Sequence, residues 1–303
     1  LGFLNNRINA SLEWYLRDTK DLLCYVTVPI GSATTNEMNI NVGSMKNIGV
    51  EFAINAKPVV NKNFTWTIDY NIAWNKNEIT KLNNSDDPNS FVSVGGISGG
   101  TNNKVQAHKV GFPAYTYYLF EQVYDANGKP IEGEFVDQDG NGSIDDNDRV
   151  FRHQKDPKVT MSMSNTFNFK NWDFGFVLRA NFGAYVYNNV LSQRTVLNRT
   201  WQNTHLSNMV KNDVYFTGET GQNLYLSDYY LRKGDFLRVD NITLGYTWDN
   251  LFKEKLRLRL YGAVQNPFVI TKYNGLDPEV FGGIDNDVYP RPTTYTLGLV
   301  ATF

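Results

Sequence analysis

Apolar and polar residues alternate with a period of two along most of the chain, which is the signature of strands with two unlike faces. Ile8, Ala10, Leu12, Trp14 and Leu16 alternate with Asn9, Ser11, Glu13, Tyr15 and Arg17. The pattern recurs over Ile48–Ala56, Phe64–Trp74, Val159–Met163, Trp172–Phe182, Ile242–Trp248, Leu256–Leu260 and Tyr295–Phe303. Several of these segments exceed the roughly 5–6 residues of a globular strand. They reach the roughly 9–11 residues that a tilted strand needs to cross a bilayer.

The connections are lopsided. They are short at Ala56–Phe64, Phe169–Trp172 and Trp248–Leu256, and long at Asp18–Ser44, Tyr124–Val159, Gly183–Tyr229 and Asn266–Thr293. Short turns at one end and long loops at the other are the asymmetry of outer-membrane barrels, with short periplasmic turns and long extracellular loops. The fold class predicted is therefore all-β, an antiparallel transmembrane β-barrel. Parity adds a constraint: the strand ending at Trp74 runs outward and the strand from Val159 runs inward, so an even number of strands separates them. Phe91–Ile97 and Val110–Tyr124 are the candidates, turning at Gly99–Asn103. This predicts about ten strands that begin and end on the periplasmic side. The Gly183–Tyr229 loop is expected to hold short helical pieces such as Asn188–Asn198.

Composition sharpens the choice between a membrane barrel and a soluble β-sandwich with one wet face. Aromatic residues make up 14% of the 303 residues, with 6 Trp, 18 Tyr and 19 Phe. Barrels use such rings as girdles at both membrane interfaces. A mean hydropathy of -0.42 excludes membrane helices but not a barrel, whose alternation averages out as hydrophilic. The net charge of -2 gives no basic field, so no nucleic-acid partner is expected. The single cysteine, Cys24, excludes a disulfide framework. Glu13, Arg17, Glu51, Asp69, Arg179, Arg257 and Arg259 fall on the polar face, so the interior is wet. About ten strands enclose little lumen. Further strands are thus expected outside this chain, together with any targeting segment, since Leu1 opens directly into patterned sequence.

One local motif carries metal chemistry. Asp137-Gln138-Asp139-Gly140-Asn141-Gly142-Ser143-Ile144-Asp145-Asp146-Asn147-Asp148 follows the calcium-loop template. That template has side-chain oxygens at loop positions 1, 3 and 5, glycine at 6, a carbonyl at 7 and a carboxylate at 12. Alternate residues of a tight loop aim their oxygens at one centre, and hard Ca²⁺ takes six to eight of them. The expected ligands are Asp137, Asp139, Asn141 and Asp148 through side chains, Ser143 through its carbonyl, and Asp145 directly or through water. Asp148 replaces the usual bidentate glutamate, which weakens affinity or relaxes ion choice, with Mg²⁺ as the alternative ion. Extended residues precede the loop, so it reads as a lone structural element that stiffens an external loop.

These residues also carry a resemblance. Asn41-Val42-Gly43-Ser44-Met45-Lys46-Asn47-Ile48-Gly49-Val50-Glu51 resembles the signature of SusC/RagA-like TonB-dependent outer-membrane receptors. Phe64-Thr65-Trp66 with Asn71 and Trp74-Asn75-Lys76-Asn77-Glu78-Ile79 is similar to the family's next strand. Val110-Gly111-Phe112-Pro113, the loop Asp137–Asp148, Tyr230–Tyr246 and Asn274-Gly275-Leu276-Asp277-Pro278-Glu279 match further family segments in order. The terminal Phe303 is similar to the family's cue for barrel insertion. The resemblance implies a barrel of about 22 strands, plugged by an N-terminal domain. Residues 1–303 would be the C-terminal part of that single barrel domain, with 137–148 in an extracellular loop and the plug and N-terminal strands absent. It implies a location in the bacterial outer membrane, lipid around the wall, and a SusD-like surface lipoprotein partner. TonB would act through the missing N-terminal region, and the cargo would be oligosaccharide or oligopeptide nutrients. The alternatives are a non-transporting outer-membrane barrel acting as adhesin or surface enzyme, and a soluble β-rich binding module.

No enzyme is predicted. His108, His153 and His205 share no ligand spacing, and no nucleophile elbow is present. Asp86-Asp87 and Asp145-Asp146 read as solvated loop carboxylates, and Gly95-Gly96 and Gly99-Gly100 as a strand end and turn. Tyr117, Tyr118, Phe120, Trp201, Tyr215, Phe216, Tyr273, Phe281 and Tyr289 fall in external loops. Packing within the loops is the reading favoured for each of them over stacking on sugar rings.

Overall fold

In a computed structural model the alternating segments pair side by side into one antiparallel sheet. The structure describes residues 2–4, 7–27, 37–82, 90–99, 103–202, 205–206, 208–251 and 256–303. The sheet orders Gly2–Phe3, Ile8–Thr27, Glu37–Val60, Phe64–Lys81, Val159–Phe169, Trp172–Phe182, Phe236–Asn250, Leu256–Thr271 and Thr294–Thr302. The strands of this wall are long, reaching 24 residues in Glu37–Val60.

Register turns the alternation of single strands into continuous rows across the wall. Ile8, Ala56, Ile68, Asn165, Phe176, Ile242, Val264 and Tyr295 lie opposite one another in sequence across eight strands. The row beside it is Asn9, Asn55, Asp69, Ser164, Val177, Asn241, Gln265 and Thr294, on the opposite face. One face is therefore a belt of hydrocarbon and rings, and the other is a field of amides, hydroxyls and carboxylates. A register slip of one residue would exchange the two faces. Asn165 is the polar residue on the apolar row. It is only 4% exposed, and its Oδ1 accepts a hydrogen bond from Trp66 Nε1 at 3.0 Å.

The charged residues assigned to the wet face find partners there. Asn55 donates to Asp69. Arg259 pairs with Asp173, Arg257 with Asp249, and Arg179 with both Asp240 and Glu279.

Tight turns close the strands at one end. Asn61 Oδ1 accepts from the amides of Asn63 and Phe64, fixing the Val60–Phe64 turn. Phe169 and Trp172 pair across a two-residue turn in which Lys170 takes a φ of 51°. Two-residue hairpins need such left-handed residues to follow the twist of the strands.

At the other end the structure departs from the sequence reading twice. Phe64–Lys81 pairs directly with Val159–Phe169, so no wall strand separates them and the parity rule is met with none. Phe91–Gly96, Lys104–Lys109, Thr116–Phe120 and Arg149–Gln154 form a separate four-stranded sheet. Thr116–Phe120 is buried along its whole length, on both faces, so its unbroken apolar run could not distinguish a wall strand from a small core. The Asp18–Ser44 connection is shorter than expected. Ile8–Thr27 and Glu37–Val60 remain paired out to Thr27 and Glu37, across register shifts between Thr19 and Leu23. Such irregularities put extra residues into one strand and break the period-two pattern. Asp86 and Asp87 lie outside the described residues.

The long connections fold into a cap with its own core. Val105, Tyr117, Leu119, Phe120, Tyr187, Leu191, Val196, Phe216, Leu224 and Tyr230 pack together, each nearly inaccessible. A second small sheet sets Tyr185–Asn188 antiparallel to Leu231–Lys233 and parallel to Ile284–Asp285. The expected helical piece is present as Asn189–Arg194, capped by Asn188, followed by a 3₁₀ turn at Leu197–Arg199. Tyr117 ties the two sheets together: its hydroxyl lies 2.7 Å from the carbonyl oxygen of Gly283 and 2.8 Å from that of Tyr185. A Cβ at Gly283 would come within 2.5 Å of that hydroxyl, and Gly283 has a φ of 76°, so the position requires glycine.

Among the loop aromatics, Tyr117, Tyr118, Phe120, Phe216 and Tyr273 are buried by packing within the cap. Tyr215, Phe281 and Tyr289 are exposed. The side chain of Trp201 lies outside the described residues.

Candidate metal loop and the anchors of the cap

The acidic loop is built largely from side-chain-to-backbone hydrogen bonds. Asp137 accepts from the amides of Gly140 at 2.6 Å and Gly142 at 2.8 Å. Asp139 accepts from the amide and side chain of Asn141, whose own Oδ1 accepts from the amide of Ser143. Gly140 and Gly142 take φ values of 73° and 82°, the left-handed conformations that let the chain wrap a centre. The Gly142 amide holds the Asp137 carboxyl below the usual aspartate range; a little desolvation opposes this, and the Gly140 and Asn141 amides add to it.

Ligand atoms of Asp137, Asp139 and Asp148 lie within 4.8 Å of one another. Asp148 is fully buried, and its two oxygens accept from the amides of Gln138 at 2.7 Å and Asp145 at 2.8 Å. Asp145 is not in this cluster. Its carboxylate caps the turn Asp146–Asp148 by accepting from the Asn147 amide. Asn141 and Ser143 are exposed on the same loop. Three convergent carboxylates with amide and carbonyl oxygens nearby form an all-oxygen set, which suits a hard divalent cation.

The loop is fastened to the cap core by residues that the motif does not include. Tyr118 donates to the carbonyl of Asp146 at 2.7 Å, and Arg149 stacks on Tyr118 at 4.0 Å. Arg149 also donates to the carbonyls of Lys104 and Tyr118, and Ile144 packs against the core. Only an aromatic two residues before Glu121 and a basic residue just after the motif hint at this in the sequence.

The other motif residues are anchors between wall and cap. Asn75 donates to the Tyr15 hydroxyl at 2.6 Å, and that ring lies over Gly49, where a Cβ would come within 2.4 Å of it. Asn77 donates to Asn47 at 2.8 Å and accepts from the Ala114 amide at 2.9 Å. Ile79 pairs with Gly111 and Phe112 through two backbone bonds of 2.9 Å.

The last external loop returns to the wall through an ion cluster. Arg238 Nη2 donates to Asp277 at 2.7 Å, with both side chains almost inaccessible. Arg179 and Arg291 each bond Glu279 at 2.7 Å. Arg238 Nε lies 3.1 Å from Glu279 Oε2 but outside hydrogen-bond geometry, so that contact is Coulombic. Removing one partner of a buried pair such as Arg238–Asp277 costs about 3–5 kcal/mol, because the other charge is left stranded. Burial pushes the Glu279 carboxyl up, but Arg179, Arg291 and Arg238 outweigh it and hold the group below its ordinary value.

The two remaining described histidine side chains serve packing. His153 stacks on Tyr185 at 3.8 Å, and His108 Nδ1 accepts from the Tyr115 amide. Burial lowers the pKa of both.

A wall of long antiparallel strands, apolar on one face and polar on the other, with its long loops folded into a cap, is a section of a membrane β-barrel. No family model matches the chain. Over its whole length it is 48% identical to the TonB-dependent receptor SusC of Bacteroides thetaiotaomicron, covering 31% of that protein. It is 27% identical to the TonB-dependent receptor P3 of Formosa agariphila, again over all of this chain and 33% of that protein. Among solved structures, that of the RagAB peptide transporter matches 99% of this chain and 34% of its own, at 25% identity and a TM-score of 0.78. The chain thus spans about a third of the length of the curated relatives it matches. It fits a C-terminal portion of a SusC-like TonB-dependent receptor of the outer membrane.

The Glu279 cluster has a pH dependence with a definite sign. A carboxylate with a depressed folded pKa contributes stability above its unfolded value and loses it as pH falls through the folded value. Proteolytic protection of residues 272–293 should therefore persist down to the ordinary glutamate value of 4.5 and fall away below it. Glu279→Gln should weaken protection at neutral pH and remove that step, read by limited proteolysis of the receptor in detergent. Loss of protection in the wild type above that value would contradict the assignment.

Proposed function

We propose that this chain is the C-terminal wall and external cap of an energised importer for oligosaccharides or oligopeptides. The observation that carries the reading is the 48% identity to SusC along the entire chain, wall and cap alike. In this reading the polar rows line the conduit and the apolar rows face lipid. A SusD-like surface lipoprotein closes over the cap, and TonB drives release of the cargo through the N-terminal region of the receptor. The anchors described above hold the cap in register with the mouth of the barrel, so a force on the plug is not lost in moving loops. Uptake tests it: cells carrying the full-length receptor should accumulate labelled oligosaccharides or oligopeptides too large for porins, and should lose this on deletion of tonB or of the lipoprotein gene. Uptake that survives loss of TonB, or no uptake of either class, would contradict the reading.

The loop at 137–148 is proposed to hold one structural Ca²⁺, with Asp137, Asp139, Asn141 and Asp148 as side-chain ligands and Ser143 through its carbonyl. Asp145 acts as the cap of the closing turn, or through a water. The buried Asp148 carboxylate, with amides already orienting both oxygens, supports this. Chelation should raise protease cleavage within residues 125–158 of the receptor, and Ca²⁺ should restore protection better than Mg²⁺. The double variant Asp137→Ala, Asp139→Ala should be cleaved equally with or without Ca²⁺. A wild-type loop indifferent to chelation would remove the ion from the account.

A further inference from the structure

A groove in the cap is lined by groups that are each half used. Two adjoining cavities, of about 320 Å³ and about 180 Å³, share Gln193 and Arg194 on the short helix Asn189–Arg194. The larger is also lined by Ser98, Asn286 and Asp287. These residues come from three separate loops and are held together by Asn189, which is fully buried. Its Nδ2 donates to Ser98 Oγ at 2.9 Å and to Asn286 Oδ1, and its Oδ1 accepts from Ser192 at 3.0 Å. Gln193 Nε2 also donates to Ser98 Oγ.

What these bonds leave over points the argument at a ligand. Ser98 Oγ accepts twice, so its own O–H remains to donate. Asn286 keeps its amide protons, and Gln193 keeps its carbonyl oxygen. The Arg194 guanidinium and the Asp287 carboxylate have no recorded hydrogen bond or ion pair among the described residues. Asp287 is held in the left-handed region, with a φ of 77°. The groove thus offers donors (Ser98, Asn286, Arg194) and acceptors (Gln193, Asp287) at close quarters. It has one cation and one anion among these five groups.

We infer that this groove binds a neutral, polyhydroxylated ligand, a segment of an oligosaccharide. Each hydroxyl of a sugar ring donates and accepts at once, so a run of vicinal hydroxyls meets a wall of mixed donors and acceptors. A phosphate or sulfate would need donors without the Asp287 carboxylate. An extended peptide is held mainly by main-chain bonds to a strand edge, with pockets for alternate side chains. The helix and loop residues here offer side-chain groups instead. Preorganisation by the buried Asn189 network keeps these groups oriented before the ligand arrives, which lowers the ordering cost of binding.

The inference rests on the importer reading, since it names the cargo class, and the test keeps the two apart. Full-length receptor in detergent is titrated calorimetrically with neutral hexasaccharides (an α-1,4-glucan, a β-1,4-xylan and a β-1,4-mannan) and with an equimolar pool of octapeptides. Arg194→Ala and Asp287→Asn are titrated in parallel; both side chains are accessible, and near-ultraviolet circular dichroism checks that the cap is folded. At least one hexasaccharide should bind saturably, each variant should weaken it by tenfold or more, and the peptides should give no saturable heat. No binding by any hexasaccharide, saccharide binding unchanged in both variants, or peptide binding that the variants abolish would each overturn the inference. TonB-dependent uptake is scored separately. The expected binding pattern in a receptor without such uptake removes the importer and leaves the groove, whereas uptake with unaltered binding in the variants does the reverse.

Discussion

Hydrocarbon offers no hydrogen bonds, so every backbone amide and carbonyl inside it must find a partner on a neighbouring strand. The rest of the molecule follows from that constraint. It makes the strands long and antiparallel, and it requires the register to hold without slip over the whole width of the wall. Because side chains alternate across a strand, fixing the register also fixes two faces. The row from Ile8 to Tyr295 and its neighbour from Asn9 to Thr294 are one backbone position apart, yet opposite in chemistry. The exception, Asn165, follows the same rule: its carbonyl oxygen is bonded by the Trp66 indole and its side chain is covered. A lysine or arginine placed at mid-depth on such a lipid face costs about 2–4 kcal/mol, which is why the charges keep to the other face.

Outside the membrane the constraint lifts and water can satisfy the chain, so the long connections need another reason to be ordered. They have a core of their own, dominated by tyrosine. Tyrosine buries a ring while its hydroxyl reaches a carbonyl, as Tyr117 and Tyr118 do. The join between wall and cap uses a different device: side-chain amides and paired charges at the strand ends. Asn47, Asn75 and Asn77 act at one place, and Arg179 and Arg238 with Asp277 and Glu279 at another. The resemblance motifs fall largely on these joints. What the signature specifies, in physical terms, is how loops are fastened to a barrel mouth.

The sequence carried the wall well, because lipid on one side and water on the other print a period of two on every strand. It carried the acidic loop as well, since residues within one tight turn report their own geometry. Three of the six residues proposed as ligands, Asp137, Asp139 and Asp148, converge, while Asp145 is spent on a cap. The cap was harder to read. Thr116–Phe120 is buried on both faces and has no polar rhythm to betray which sheet it joins. Register shifts near Asp21 erased the pattern in a strand that continues to Thr27. The groove was invisible for a plainer reason: Ser98, Asn189 and Asn286 are far apart in the chain, and nothing local marks any of them as neighbours.

The two-faced wall is tested most directly by nitroxide labels placed one at a time at Ile68, Ile72, Phe176 and Ile242, and at Asp69, Asn71, Val177 and Asn241, in the receptor reconstituted into bilayers. Collision rates with oxygen, which partitions into lipid, and with a water-soluble nickel chelate report each site's surroundings. The first set should collide preferentially with oxygen and the second with nickel, switching at every residue along a strand. Equal nickel accessibility in the two sets would contradict the account at its root.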